Sequence, residues 1–213
     1  MSENEPPGAS AARSGPPAGI TLECHTGGAI QPFIADAARL RIAVFREWPY
    51  LYAGDDAYER DYLLTYSSHP DSLFVVAKAG GEVVGISTGI PLRDETAEVK
   101  APFPAAGMDP DSVFYFGESV LLPAWRGRGI GVRFFEERER FARSLPGIRH
   151  AAFCAVDRPA DHPARPADYV PLDVFWGKRG FQKTTLRTQF TWKETGGAEE
   201  SPKWLTFWMK ALS

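Results

Sequence analysis

The spacing of apolar residues changes several times along the chain, and each change marks an element. Residues 20–24 form a short apolar run that predicts a strand. From Pro32 onward, Phe33, Ala37, Leu40 and Val44 recur at helical spacing with Arg39, Arg41 and Arg46 between them, which predicts an amphipathic helix. That helix should stop ahead of Trp48-Pro49, because the residue before a proline avoids the helical region. A second, aromatic-rich helix is predicted over 55–66, with Asp55 and Asp56 at its positive end. Residues 73–79 and 83–91 read as strands joined by Gly80-Gly81, a strong hairpin signal. The stretch 93–112, rich in proline, glycine and alanine, reads as an irregular excursion. Residues 113–122 then predict one central strand, 127–145 a helix with Ile130, Phe134, Phe141 and Leu145 on one face, and 150–156 another strand. A proline-rich loop, a short helix near 171–178, a strand from Gly180-Phe181 to 193 and a last strand over 203–210 complete the chain. The order β-α-α-β-β-β-α-β-α-β-β predicts an α/β (α+β) domain: a mixed sheet, antiparallel at its hairpins, with crossover helices beside its centre.

Composition narrows the function classes. The 213 residues are 44% hydrophobic and 24% charged, enough apolar material for one full core. Residues 1–19 are the exception, with four prolines, three glycines and no large apolar residue but Met1. They read as a flexible tail, and 20–213 as a single domain. That tail lacks the basic start and apolar middle of a signal peptide, which suggests a cytoplasmic protein. The balance of 24 basic against 27 acidic residues argues against non-specific nucleic-acid binding, which needs a basic face. No apolar run of ~18 residues is present, so no membrane helix is predicted. Cys24 and Cys154 lie far apart, and His25, His69, His150 and His162 have no metal-ligand spacing, so no metal is expected.

The chemistry is concentrated in the run from Glu118 to Gly131, ESVLLPAWRGRGIG. A strand ends at Pro123, and a turn punctuated by Gly127, Gly129 and Gly131 leads straight into an amphipathic helix. Such glycines let the backbone approach a bulky anion, and the free amides of the first helical turn then point at it. Arg126 and Arg128 add charge suited to phosphate oxygens, so the run reads as a pyrophosphate cradle. It is not a P-loop, since Ile130-Gly131 stands where lysine and a hydroxyl residue are required. Nor does its glycine spacing, late in the chain and after a hairpin, fit a dinucleotide fingerprint.

Arg126-Gly127-Arg128-Gly129-Ile130-Gly131 resembles the [QR]-x-x-G-x-[GA] signature of the GNAT superfamily, the acyl-CoA-dependent N-acetyltransferases. Val120-Leu121-Leu122-Pro123 is similar to the strand that precedes it there, and Phe175 through Gly180-Phe181 resembles the helix, Gly-Phe and strand that close the family's cofactor site. The resemblance covers about residues 20 to 213. It implies six to seven mostly antiparallel strands, about four helices and splayed central strands. Acetyl-CoA would be the co-substrate, its pyrophosphate on the amides of Arg126, Gly127, Arg128, Gly129, Ile130 and Gly131. Its pantetheine arm would pair along Val120, Leu121 and Leu122, and Arg133 would reach the 3′-phosphate. Asp157 falls where the family often has an asparagine that aids the cofactor or the amine.

An ammonium acceptor must lose a proton before it attacks a thioester, and Glu118, a carboxylate in an otherwise apolar strand, is the candidate base. Many family members protonate the leaving thiolate with a tyrosine four residues before the Gly-Phe pair; here that position is Trp176, and Tyr169, Cys154 or water would replace it. The acceptor wall implied by the fold includes Trp48, Tyr50, Tyr52, Asp55, Asp56 and Tyr58, aromatics and carboxylates that suit a cationic amine. A helix start and a core-packing linker account for the same residues. Direct transfer of acetyl to a primary amine is therefore expected, with a non-catalytic acyl-CoA-binding module of the same fold as the alternative. ATP binding at the glycine turn fits the spacing poorly. Trp204, Phe207 and Trp208, if exposed on the last strand, would support a homodimer.

Overall fold

The protein was analysed as a computed structural model, which describes residues 19–212. The flexible tail read from the sequence therefore lies, but for Gly19, outside the described residues. The elements run β1 (Ile20–Thr26), α1 (Ile34–Phe45), α2 (Asp56–Ser68), β2 (Leu73–Ala79), β3 (Glu82–Pro91), α3 (Ala97–Lys100), α4 (Pro102–Ala105), β4 (Val113–Tyr115), β5 (Ser119–Leu121), α5 (Ile130–Ser144), β6 (His150–Val156), α6 (Asp173–Gly177), β7 (Gln182–Lys193) and β8 (Glu200–Ala211). One sheet has the order β1-β2-β3-β4-β6-β8-β7, with β5 as a further partner of β3. Among the described strands only β4 and β6 are parallel, joined through the crossover helix α5. Alternation along the strands sends one set of side chains under α1 and α2, among them Val76, Ile86, Tyr115 and Val120. The other set, including Phe114, Phe116 and Phe153, packs with Ile130 and Phe134 of α5.

Helix starts and turns follow local chemistry. Asp55 caps α2, its carboxylate accepting from the Tyr58 amide at 2.9 Å. Gly80 and Gly81, both at positive φ, close the β2–β3 hairpin. The 93–112 excursion is more ordered than its composition suggested: α3 and α4 tuck Val99 and Phe103 into the core, where Phe103 meets Phe207 at 5.0 Å. Alanine- and proline-rich turns this short carry too little periodicity to be read from sequence.

The expected strand over 113–122 is in fact two, which brings the sheet to eight strands instead of six to seven. Up to Phe116 the chain bonds to β6, the Phe116 amide donating to the Ala152 carbonyl at 2.7 Å. Gly117 then packs against α2: a Cβ there would collide with the Tyr66 hydroxyl and Thr88 Oγ1. From Glu118 to Leu122 the strand ladder runs to β3 instead, Thr88 donating its amide to the Glu118 carbonyl at 3.0 Å. Arg138 of α5 fills the break from the other side. It donates to the carbonyls of Phe134 (3.2 Å), Thr88 and Glu118 (both 3.3 Å) and to Ser119 Oγ (2.8 Å), with its guanidinium over the rings of Phe116 and Phe135. Desolvation of this buried side chain holds its pKa down, to about 9.

The last strand corrects one expectation. Phe207 and Trp208 are buried, and Trp204, 47% exposed, carries Arg187 over its ring at 4.7 Å, so β8 does not present the aromatic surface from which a homodimer was inferred.

Candidate active site

The break between β4 and β5 opens a gap in the middle of the sheet. Because the Glu118 carbonyl and the Leu122 amide bond to β3, alternation turns the backbone polar groups of Ser119 and Leu121 away from β3, into the gap. On the far side, the Ala152 carbonyl faces β4 and the Asp157 amide faces β8. By the same alternation Cys154 and Val156 direct their backbone into the gap. Two strand edges therefore turn their backbone polar groups toward each other past the last β4–β6 bond. The Leu121 carbonyl already accepts from Arg126 Nε at 3.1 Å.

At the end of β5 the gap meets the N-terminus of α5. Gly127 and Gly129 take φ of +76° and +78°, left-handed values that favour glycine. A Cβ at either would meet nothing within 4 Å, so the turn is open to solvent. The first amide of α5 to bond backward is that of Arg133, to the Gly129 carbonyl at 3.2 Å. The amides of Ile130, Gly131 and Val132 thus head the helix without an intrahelical acceptor. The side chains around them are engaged: Arg126 with Glu47 at 3.0 Å, Arg128 over the Trp125 ring at 4.8 Å, and Arg133 with Glu136 and Glu137. Arg126 and Arg128, next to these amides in sequence, have exposed side chains.

On the α1/α2 face of the gap lies a buried polar cluster. Arg41 of α1 pairs with both Glu59 of α2 and Glu118. Glu118 has its second oxygen on the Thr88 hydroxyl, so both carboxylate oxygens are taken. Glu118 is thereby fixed in place beside the gap, its oxygens held by Arg41 and by the Thr88 hydroxyl. Next to it the Tyr115 hydroxyl and Cys154 Sγ are 3.1 Å apart. Burial pushes the Cys154 thiol up to about 12, so it is neither a nucleophilic thiolate nor a ready proton donor.

Glu95, from the 93–112 excursion, faces the same cluster. Its oxygens accept from the Tyr66 hydroxyl (3.0 Å) and the Thr96 amide (3.1 Å). Burial raises its pKa from 4.5 to about 7. A carboxyl raised on folding stabilises the protein while protonated, and that contribution is lost as pH climbs from 4.5 through about 7. E95Q keeps an acceptor for Tyr66 and is expected to melt a few degrees above wild type at pH 8.5 but not at pH 4.5, measured by thermal denaturation at both values.

The remaining sequence-derived site residues scatter. Trp176 packs on Phe153 and Trp208, each at 5.1 Å, on the α5 side of the sheet. Tyr169 sits edge-on to Trp48 at 5.9 Å, with burial raising its pKa. Asp157 directs its carboxylate to Thr206 (2.9 and 3.0 Å) and Arg187 (3.0 Å), a brace across β6, β8 and β7. Of the acceptor wall, Tyr50 and Tyr52 lie on a loop joined to β7–β8: Arg158 donates to the carbonyls of Pro49 (2.7 Å) and Tyr50 (2.8 Å) and to Glu194 (2.6 Å). Asp56 pairs with Arg60 and Tyr58 is exposed, so both serve the helix surface instead. Arg41, Glu95 and Arg138 were not singled out from the sequence. Arg138 alone left a trace there, since it stands on the apolar stripe of α5 between Phe134 and Phe141. Among the described residues no group of three or more His, Cys, Asp or Glu is placed to hold a metal ion, and no helix is long and apolar enough to cross a membrane.

A central sheet opened beside a glycine turn and a helix N-terminus defines a class of protein, and the comparisons agree. The chain belongs to the GNAT acetyltransferase family, whose family model matches residues 40–167. Among solved structures it is similar to yncA of Salmonella typhimurium, solved with its cofactor acetyl-CoA, at 13% identity, 92% of this chain, 95% of that one and a TM-score of 0.54. An N-acetyltransferase from Staphylococcus aureus Mu50 is 15% identical over 91% of this chain and 99% of its own, with a TM-score of 0.55. An acetyltransferase from Thermus thermophilus gives 16%, 91%, 97% and 0.53. At these identities the likeness is one of fold. A search of curated proteins returned no match.

Proposed function

We propose that this protein transfers an acetyl group from acetyl-CoA to a primary amine by direct attack, with both substrates bound at once. The observation that carries the reading is the continuity of the opened sheet with the turn before α5. A slender thioester arm has two unpaired strand edges to run between, and its diphosphate has the amides of Arg128 through Val132 at one end. Gly127 and Gly129 leave that approach open. Acetyl-CoA supplies an activated acyl group on a tolerable leaving group, sulfur. The chain's own residues do the rest. The Leu121 amide, turned into the gap, polarises the thioester carbonyl. Arg126 holds the Leu121 carbonyl and so the angle of that amide. Glu118, held in place by Arg41, lowers the energy of a cationic amine entering from the α1/α2 side. The Arg158 clamp fixes the loop carrying Tyr50 and Tyr52 as the wall of that entry.

Release of free thiol from acetyl-CoA, followed over primary alkylamines, arylamines, amino acids and free peptide N-termini, tests the reading. At least one amine is expected to raise thiol release well above hydrolysis, and E118Q to lower that rate by about 10- to 100-fold. Tight coenzyme A binding with no amine-dependent release would instead make the protein a non-catalytic acyl-CoA-binding module.

A further inference from the structure

The oxygens of Glu118 are engaged by Arg41 and the Thr88 hydroxyl, and the buried cluster contains another exit for the proton that the amine must lose. Tyr62 of α2 lies under the Arg41 guanidinium, 4.7 Å from ring to cation, and is only partly buried. Its hydroxyl is 3.5 Å from that of Tyr66, and the Tyr66 hydroxyl donates to Glu95 at 3.0 Å. The middle member is fixed in place by the backbone. Tyr66 Oη fills the space that a side chain on residue 117 would need, and so lies against the break that opens the sheet. A line of three exchangeable groups thus runs from Tyr62, behind the gap, to a carboxyl buried in the excursion.

We propose that Tyr62, Tyr66 and Glu95 form a proton relay that drains the acceptor amine, a reading that rests on acetyl transfer to an amine. The amine proton passes to Tyr62 Oη, the proton of Tyr62 to Tyr66 Oη, and that of Tyr66 to a Glu95 oxygen, so each tyrosine ends neutral. The freed lone pair of the amine forms the new C–N bond, the C–S bond breaks, and the thiolate leaves with its electrons and takes up the second proton from nitrogen, so that a neutral amide and a free thiol result. Glu95 returns its proton to water along the same line after the products depart. The groups facing Glu95 set its proton affinity. Burial raises it, and so does Glu118 across the break, while Arg41 of α1 and the Thr96 amide and Tyr66 hydroxyl bonds lower it. Tyr62, Tyr115 of β4 and Cys154 of β6 also face it, all neutral near pH 7 because burial raises each of them. The terminal acceptor thereby changes charge near the pH at which the enzyme would work, where a base is most effective.

The test combines a titration with a pH profile. Wild type, E95Q, Y66F and Y62F are labelled with 13C-glutamate and their carboxyl signals followed from pH 4 to 9. One signal, absent from E95Q, is expected to titrate near neutrality and to shift its midpoint in Y66F. Its absence would overturn the relay while leaving acetyl transfer intact. Using the best amine of the panel, kcat/KM for that amine is expected to fall about 100-fold in E95Q and Y66F at pH 7.5, and less in Y62F. The deficit should shrink below about 5-fold at pH 10, where the amine enters already neutral, with KM for acetyl-CoA unchanged throughout. A deficit of the same size at every pH would mark the residues as structural and overturn the relay. If the signal titrates but no amine supports thiol release in wild type, the transfer reading has failed and the relay, with no proton to carry, falls with it.

Discussion

Coenzyme A binding is expected to weaken at least about 100-fold when Gly127 and Gly129 are both changed to valine, while the protein still folds. Both glycines sit at left-handed φ, and a β-branched residue there is a steric outlier. The valines would force the turn onto another path and rotate the leading amides of α5 away from a common point. Losing two charge-assisted hydrogen bonds to a diphosphate, at about 1.5 kcal/mol or more each, accounts for the loss of affinity. The fold should tolerate the change because a Cβ at either position meets no other part of the protein, so the cost is left-handed strain of about 1–2 kcal/mol per residue. Gly147→Val is the control: Gly147 has the same backbone sign, φ +82°, and equally open surroundings, but lies in the loop between α5 and β6, at the opposite end of α5 from the turn. It should cost similar stability and leave calorimetric affinity for coenzyme A unchanged. Equal weakening by the control would detach the turn from the cofactor.

The largest effect on stability is expected at Gly117. Alanine there drives a methyl into the Tyr66 hydroxyl and Thr88 Oγ1, and neither can move freely. Tyr66 is fully buried and bonded to Glu95, and Thr88 is buried and bonded to both the amide and the carboxylate of Glu118. Overpacking and the loss of a buried hydrogen bond together should lower unfolding free energy by about 3 kcal/mol or more. Y66F, by removing the nearer obstacle, should recover part of the loss, so that G117A/Y66F is more stable than G117A despite carrying two changes. Urea denaturation of the four proteins gives the cycle. Additive losses would mean that the hydroxyl does not occupy the space behind the break.

Much of this architecture could be read from the order of residues. The Gly80-Gly81 hairpin, the Trp48-Pro49 helix stop and the 150–156 strand each rest on a local rule, and each is present. The glycine turn before α5 was legible for the same reason, since left-handed glycines leading into a helix are a property of a few neighbouring residues. The break in the central strand was not. Gly117-Glu118 within VFYFGESVLL carries no turn or proline signal, and Tyr66, Thr88 and Arg138, brought in from three other elements, meet the chain where it leaves β6. The proton chemistry was hidden likewise. Glu118 stood out as a carboxylate in an apolar strand, but its partner Arg41 is 77 residues away. Glu95 sat in a segment whose composition promised only irregular loop, and the burial that lifts its proton affinity exists only once α2 and the sheet have closed around it.

A crystal structure with coenzyme A bound tests the central claim most directly. The diphosphate is expected on the backbone amides between Arg128 and Val132, with the pantetheine arm running between Ser119–Leu121 and Cys154–Val156 and its sulfur beside the cluster of Arg41 and Glu118. Coenzyme A bound elsewhere on the protein, or a gap that stays closed in crystals soaked at saturating ligand, would contradict it.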